Sequence, residues 1–359
     1  MTISTPLSPT TAHLTPEDFE QFGSELDAIR AEVIESRGDR DATYIRNVIK
    51  LQRGLEIGGR AVLFAGILPP AWIAGTAALS AAKILENMEI GHNVMHGQWD
   101  WMRDPKIHST SWDWDNASPA AQWKHSHNFV HHTFTNVLDK DRDIGYAVLR
   151  ITPEQRWSPW RLGQPAYAAL LAMFFEYGVA LHDLEFEKIR AGQKSLAEAS
   201  PQLQEIGRKV ARQAAKDYLA FPLLAAPLGG FLPVLTANFT ANIVRNVWSN
   251  VVIFCGHFPD GAEIFDEAHI ENETRGQWYV RQLLGSANIS GGPLMHLASG
   301  NLSHQIEHHL FPDLPSNRYA EIAPRVRALC EKYDLPYNTA SLRSQITSTW
   351  KKIFRLSLP

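Results

Sequence analysis

The chain has 359 residues, of which 45% are hydrophobic and 20% charged, and it carries a net charge of −4. That is length enough for two ordinary domains or one large one, and the charge gives no polyanion-binding signature, so no nucleic-acid partner is expected. Two cysteines, Cys255 and Cys330, exclude a disulfide scaffold and any Cys-rich zinc or iron–sulfur site.

The first stretch, MTISTPLSPTTAHLTPEDFE, has neither a basic n-region nor an apolar h-region and so is no secretory signal. Its Ser/Thr/Pro content reads as a disordered leader, and residues 1–45 as that leader plus an N-terminal cytosolic segment. Next comes AVLFAGILPPAWIAGTAALSAA, from Ala61 to Ala82, without one charge. From Tyr218 to Phe258 the only charge is Arg245. A spanning helix needs about 20 apolar residues to cross roughly 30 Å of hydrocarbon. Buried core helices are the alternative reading, but these are usually shorter and carry a polar face.

Each apolar stretch has a breaker near its centre: Pro69-Pro70 in the first, Gly229-Gly230 and then Pro233 in the second. Each therefore reads as a hairpin of two arms. Lys and Arg crowd before the first hairpin and are absent from both turns, which places the turns outside and the remainder in the cytoplasm. A third apolar run, AYAALLAMFFEYGVAL (166–181), is interrupted by Glu176. It reads as an interfacial helix, because a fifth span would put the basic loop after it outside.

The expected architecture is all-α and integral to a membrane: four transmembrane helices in two hairpins, 46–92 and 218–257. A cytosolic helical cap made of 93–217 and 258–359 would hold a metal site. The expected location is the inner cell membrane, multi-pass, with the site facing the cytoplasm.

The histidines carry the chemistry. GHNVMHGQ holds His92 and His96, KHSHNFVHHTF holds His127, His131 and His132, and NLSHQIEHHLFP holds His304, His308 and His309. On a helix, residues four apart share a face, so each cluster can grip one metal. Adjacent rings diverge by about 100° and reach different metals or different faces of one site. Two such forks point to a two-metal site. His257 emerges where the last arm meets the cap and is a further candidate ligand. Glu89, on the face of His92, is a candidate acceptor for a ring N–H.

In this order, the clusters resemble the three histidine boxes of the integral-membrane fatty acid desaturases. The similarity covers roughly residues 45–340 and is strongest to the actinobacterial stearoyl-CoA Δ9 members. It implies a non-haem di-iron centre of two iron ions, O2 as co-substrate and desaturation of a long-chain acyl-CoA. Electrons would come ultimately from NAD(P)H through a separate ferredoxin or flavin/iron–sulfur reductase. Carried over by position, the ligands are His92, His96, His127, His131, His132, His308 and His309, with His257 matching an extra histidine of such enzymes. QIEHHLFP departs from the commoner third box, placing Gln305 where other members have histidine. His304 is preferred to Gln305 here, because imidazole is the better iron ligand.

Breaking an unactivated C–H bond needs a redox metal, which zinc is not. A membrane hydroxylase on the same centre and a non-catalytic metal carrier are the rival readings. Arg245, Lys124 and Arg150 are candidate partners for CoA phosphates, and several of Trp99, Trp101, Trp112, Trp114 and Trp123 for lining an acyl tunnel.

Overall fold

A computed structural model describes residues 8–359, which are mostly helical. Helix α1 (Pro16–Glu35) starts at a capping box between Thr15 and Asp18, with proline at its first position. It buries Phe19, Phe22, Leu26, Ile29 and Val33, a stripe at helical spacing. The expected disordered leader is therefore corrected from residue 8 onward. Ser8 caps a short turn, and His13 Nε2 lies 2.9 Å from the Tyr333 carbonyl. Residues 1–7 lie outside the described part.

Helix α2 (Asp39–Leu63) turns through residues 64–68 into α3 (Pro69–Leu85), whose leading prolines start the helix rather than break it. The helical path then runs on through a π turn, Glu86–His92, to Met95. Helices α4 (Gln164–Met173) and α5 (Phe175–His182) follow, then α6 (Leu196–Ala214), which continues through a second π turn to Ala225. Gly229, at φ +70°, makes the reversal into α7 (Phe231–His257). Leu63, Leu79, Ala225, Val234, Ala237 and Ala241 knit these arms into one core.

The two reversals lie side by side. Trp72 Nε1 donates to the Pro233 carbonyl at 3.0 Å, and a Cβ on Gly66 would stand 3.2 Å from Pro233. His92 and His257 end the returning arms, so both reach the opposite end of the bundle.

Helix α7 has inverted polarity. Asn238, Asn242, Arg245, Asn246 and Asn250 are buried, while Leu232, Phe239 and Val244 face outward. Several of the inward polar groups find partners: Asn238 donates to the Asp217 carbonyl at 2.6 Å, and Asn246 to the Met173 carbonyl at 3.1 Å. Arg245 pairs with Glu176, and both are buried. Among the described residues, no helix is long and apolar enough to cross a membrane. The reason lies in the same features, because α3 is cut short by its π turn and α7 carries an arginine and four asparagines inward.

The expected single surface helix over 166–181 is two helices, broken at Phe174. Glu176 decides this by turning inward, where it also accepts from the Ala117 N–H at 3.1 Å. Leu170, Phe174 and Leu181 remain exposed along the outer side.

The C-terminal part comprises α8 (Arg275–Leu284), β1 (Asn288–Ser290), α9 (Gln305–Leu310), α10 (Tyr319–Lys332), β2 (Thr339–Ser341) and α11 (Leu342–Ser357). The two short strands pair in parallel, with Ile289 opposite Ala340. Phe22 and Leu26 of α1 share a core with Tyr279, Leu283, Phe311, Tyr319 and Val326. Arg318 holds the Asp41 carboxylate at 2.6 Å and so ties this part to the start of α2.

Removing one partner of a buried ion pair strands the other charge, at a cost of about 3–5 kcal/mol. Glu176→Ala is therefore expected to lower stability by about that amount, measured by thermal unfolding of the purified protein. The double change Glu176→Leu with Arg245→Met should lose far less.

Candidate metal centre

The sequence delivers candidate ligands from four segments to one place. His92 and His96 sit on and just past the π turn that ends α3. His127, His131 and His132 sit on a π turn, Lys124–His131, and the residue after it. His257 is the last residue of α7, and His308 and His309 lie on α9. The π turn is a costly local geometry that recurs at functional sites, and two of the ligand segments adopt it.

Their ring nitrogens form overlapping groups within 4.8 Å of one another: His92, His96, His127 and His308; His131, His257 and His309; and His132, His308 and His309. The forks work as their spacing implies. His131 and His132 enter different groups, and His308 reaches the first while its neighbour His309 reaches the second.

The environment is dry. Nε2 of His96, His127, His131, His132 and His308 is buried with no hydrogen-bond partner. His309 Nε2 and His257 Nε2 face each other at 3.2 Å. Buried polar atoms are ordinarily satisfied, and leaving one unmade costs about 1–3 kcal/mol. So many unpartnered nitrogens converging in one place fit metal cations, whose histidine ligands are neutral imidazoles. Burial, reinforced by the neighbouring rings, holds His96, His132, His308 and His309 well below the ordinary histidine pKa, in the neutral, ligating form. The donor set suits iron, and the absence of thiolates rules out a soft-metal site.

An outer layer aims the rings. Asp141 Oδ2 accepts from His131 Nδ1 at 2.9 Å, and Gln282 Oε1 from His309 Nδ1 at 3.0 Å. Asn93 Oδ1 stands 3.0 Å from His92 Nδ1, and the Tyr319 hydroxyl 3.3 Å from His308 Nδ1. Burial alone would depress His131, yet the adjacent Asp141 and Asp143 carboxylates raise it to about 9, so a metal binding at its Nε2 must displace a proton, while Asp141 orients the ring through Nδ1. Asp143 lies 3.6 Å from His127, and its other oxygen is 3.1 Å from His182 Nε2.

Of the nine histidines picked out by spacing, the structure gathers eight and leaves His304 apart. Its ring stacks on His296 at 4.6 Å, and it joins none of the groups. The shared-face argument assumed one helix through 304–308. In fact α9 begins at Gln305, and His304 is a non-helical cap with φ −102° and ψ 57°. Gln305 takes the inward place, with its amide Nε2 3.0 Å from His257 Nε2. Gly256 makes room for it, since a Cβ there would come within 2.9 Å of the Gln305 side chain.

Glu89 is corrected likewise: it accepts from Ser316 at 2.6 Å and Asn301 at 2.9 Å, while Asn93 serves His92. The three cations expected at CoA phosphates are committed elsewhere. Arg245 is the buried partner of Glu176, Arg150 donates to the Leu358 carbonyl at 3.0 Å, and Lys124 to the Ser109 carbonyl at 2.8 Å. Among the tryptophans, Trp114 and Trp123 do line a cavity beside His92 and His127. Asp141, Asp143, His182 and Gln282 were not found from sequence. The acidic run DKDRD shortly after the second cluster was the available signal. Its meaning depends on the chain reversing at Asn136, φ +57°, so that Asp141 can face back to His131.

Losing an outer partner typically costs 10–100-fold in metal affinity or activity. Asp141→Asn is expected to fall in that range, read as metal retained after chelator dialysis. Gln305→Ala should release part of the bound metal, and His304→Ala should retain it. The reverse pattern would restore His304 as the ligand.

The fatty acid desaturase family matches residues 68–341. The NADPH-dependent stearoyl-CoA 9-desaturase of Mycobacterium tuberculosis is 53% identical over 350 residues, covering 97% of this chain and 82% of that protein. The sn-1 linoleoyl-lipid 6-desaturase of Synechocystis is 23% identical over 338 residues, 92% of each chain. Human fatty acid desaturase 3 is 25% identical over 285 residues, 76% of this chain and 59% of that protein. On that coverage, and with the histidine motifs gathered as described, this chain belongs to the fatty acid desaturase family.

Proposed function

We propose that this protein is an O2-dependent desaturase that places a cis double bond in a long-chain acyl-CoA, at Δ9 of stearoyl- or palmitoyl-CoA, in lipid synthesis. The observation that carries it is the dry convergence of eight imidazoles on two overlapping poles, within a chain 53% identical to a stearoyl-CoA 9-desaturase. When bound there, a pair of irons supplies the O2-activating oxidant that no side chain of this protein can provide. His92, His96, His127 and His308 would hold one iron, and His131, His257, His309 and Gln305 the other, with His132 between them.

The protein's own part is placement and exclusion. Met88, Trp123, Tyr146, Phe175 and Val179 wall a narrow cavity of about 50 Å³ that His92 and His127 also line. An acyl chain entering it must shift these side chains, and once seated keeps water from the histidines. Asp141 and Gln282 keep His131 and His309 in fixed tautomers. The requirement for two electrons per double bond assigns the protein a separate donor, a ferredoxin or flavin/iron–sulfur reductase drawing on NAD(P)H. The NADPH dependence named for the mycobacterial relative supports this.

The two hairpins, 46–92 and 218–257, are our assignment for four membrane spans, with the rest as a cytosolic cap and both reversals outside. Exposed apolar side chains support it: Ile57, Ile67, Leu68, Ile73, Leu223, Leu228 and Leu232 all face outward on the bundle. The path from Pro69 to His92 is roughly 36 Å at about 1.5 Å per residue, enough for a bilayer. Polar residues buried between spans, as on α7, are the arrangement lipid demands.

Expressed in a desaturase-deficient host, the chain should restore monounsaturated acyl chains, and the purified protein should hold about two irons. Hydroxylated chains in place of alkenes would favour the hydroxylase, and metal movement without O2 consumption the carrier. A cysteine tag near Pro69 or Gly230 should label from outside the cell, and one near Gly192 should not. Labelling at Gly192 would overturn the four-span arrangement.

A further inference from the structure

The narrow cavity beside the histidines shares part of its wall with a second, very different one. That second cleft holds about 450 Å³ and is bounded by α2, α3, α6 and the segment 111–116. Trp114 and Asn116 line both. The second cleft is no place for an alkyl tail, because the partly exposed Arg53, Glu56 and Lys216 line it and would lose their solvation against one.

Its polar groups are arranged in depth. At the rim, Arg212 is exposed with no ion-pair partner among the described residues, and Arg53 has only Glu56, at 3.8 Å. Lys209 and Lys216 stand behind them, held by Asp113 and Asp115. Deeper, Gln52 Oε1 and Glu86 Oε2 are buried without a hydrogen bond, on side chains only 3% and 7% exposed. The cleft thus offers cations outside and unsatisfied acceptors inside. A ligand that matches carries phosphate at one end and N–H donors further along.

A larger cleft of about 930 Å³ also touches the narrow cavity, through Ser126, Asp143, His182 and Asp183. Its charged lining is Asp139, Asp141, Asp143, Asp183 and Glu185 against Lys140, Arg142 and Lys188. That excess of carboxylates repels a polyanion.

We propose that the first cleft is the carrier site: it seats a phosphopantetheine arm, with phosphate at Arg53 and Arg212 and amide N–H groups on Gln52 and Glu86. Trp114 and Asn116, which line both cavities, form the gate through which the acyl chain passes to the histidines, with the thioester left on the cleft side. The proposal rests on the acyl-CoA reading and adds which face the carrier approaches. It also separates carriers, since a phospholipid brings phosphate but no such row of amides. Phosphopantetheine occurs both in CoA and on acyl carrier protein, so both are to be offered.

The test is steady-state desaturation of stearoyl-CoA and stearoyl-acyl carrier protein by the full-length protein with its reductant. The variants are Arg53→Glu with Arg212→Glu, and Lys140→Ala with Lys188→Ala. The first pair is expected to raise KM for stearoyl-CoA about tenfold or more with kcat within about twofold, because it weakens binding without touching the reacting carbons. Inhibition by free CoA should weaken in parallel, and the second pair should leave both unchanged. Preference for the carrier-protein thioester would name the source of the arm and uphold the site. An unchanged KM in the first pair, or an equal rise in the second, would overturn the cleft while leaving acyl-CoA desaturation intact. A wild-type protein that desaturates only phospholipid would instead sink the acyl-CoA reading itself.

Discussion

Everything in this protein answers to one constraint: eight imidazoles must be held with their nitrogens converging in a dry interior. Such an arrangement is unfavourable alone, because each unpartnered nitrogen has given up its water and received nothing. Burial keeps His96, His132, His308 and His309 unprotonated, and a cation relieves unpartnered nitrogens such as Nε2 of His96, His132 and His308. Folding must therefore supply the rigidity that the site itself cannot. The outer partners do this ring by ring, through Asp141, Gln282, Asn93 and Tyr319.

Rigidity at longer range comes from the bundle. His92 and His257 close two long arms whose other ends are locked where Trp72 meets Pro233. Between those ends the arms are cross-tied by buried polar groups rather than by apolar packing alone. Lys83 binds Asp217 at 2.8 Å, Arg60 reaches the same carboxylate at 3.3 Å, and Asn242 joins them at 3.2 Å. Directional ties fix the rotation of a helix about its axis, which apolar contacts do weakly. Fixed rotation is what a histidine at a helix end requires. The same inward polarity leaves the outer face to leucines and isoleucines, so the bundle is organised with its apolar surface on the outside.

The neighbourhood of the site is divided by chemistry. The wall of Met88, Phe175 and Val179 is apolar next to the histidines, and beyond Trp114 the surface becomes charged within a short distance. A substrate with an alkyl chain and a charged carrier can be read in one direction only by such a boundary. Trp114 stands at that boundary with its indole N–H bound to the Ser118 carbonyl at 2.6 Å, which fixes it as a partition rather than a free surface ring.

Much of this was legible in the linear sequence. Ligand spacing is a local property, so His92 with His96, His127 with His131, and the two HH forks declared themselves without a fold. Uncharged runs punctuated by Pro69-Pro70 and Gly229-Gly230 located the two reversals, because proline at a helix start and glycine at a reversal act locally. What failed did so where local geometry was itself set by distant contacts. His304 looks like a ligand only if a helix runs through it, and the helix starts one residue later, where Gly256 admits Gln305 against His257. The leader looked disordered because its polar residues dominate the count, yet Phe19 and Phe22 find a core made mostly by residues far along the chain, from Phe265 to Leu335. Asp141, Asp143 and Gln282 were unreadable in advance, since a carboxylate becomes a histidine's partner only when a chain reversal carries it there. The sequence by itself determined which residues could bind metal. Tertiary structure alone decided which of them converge, because convergence is fixed by the rotation of helices and the return of loops, and neither has a local signature.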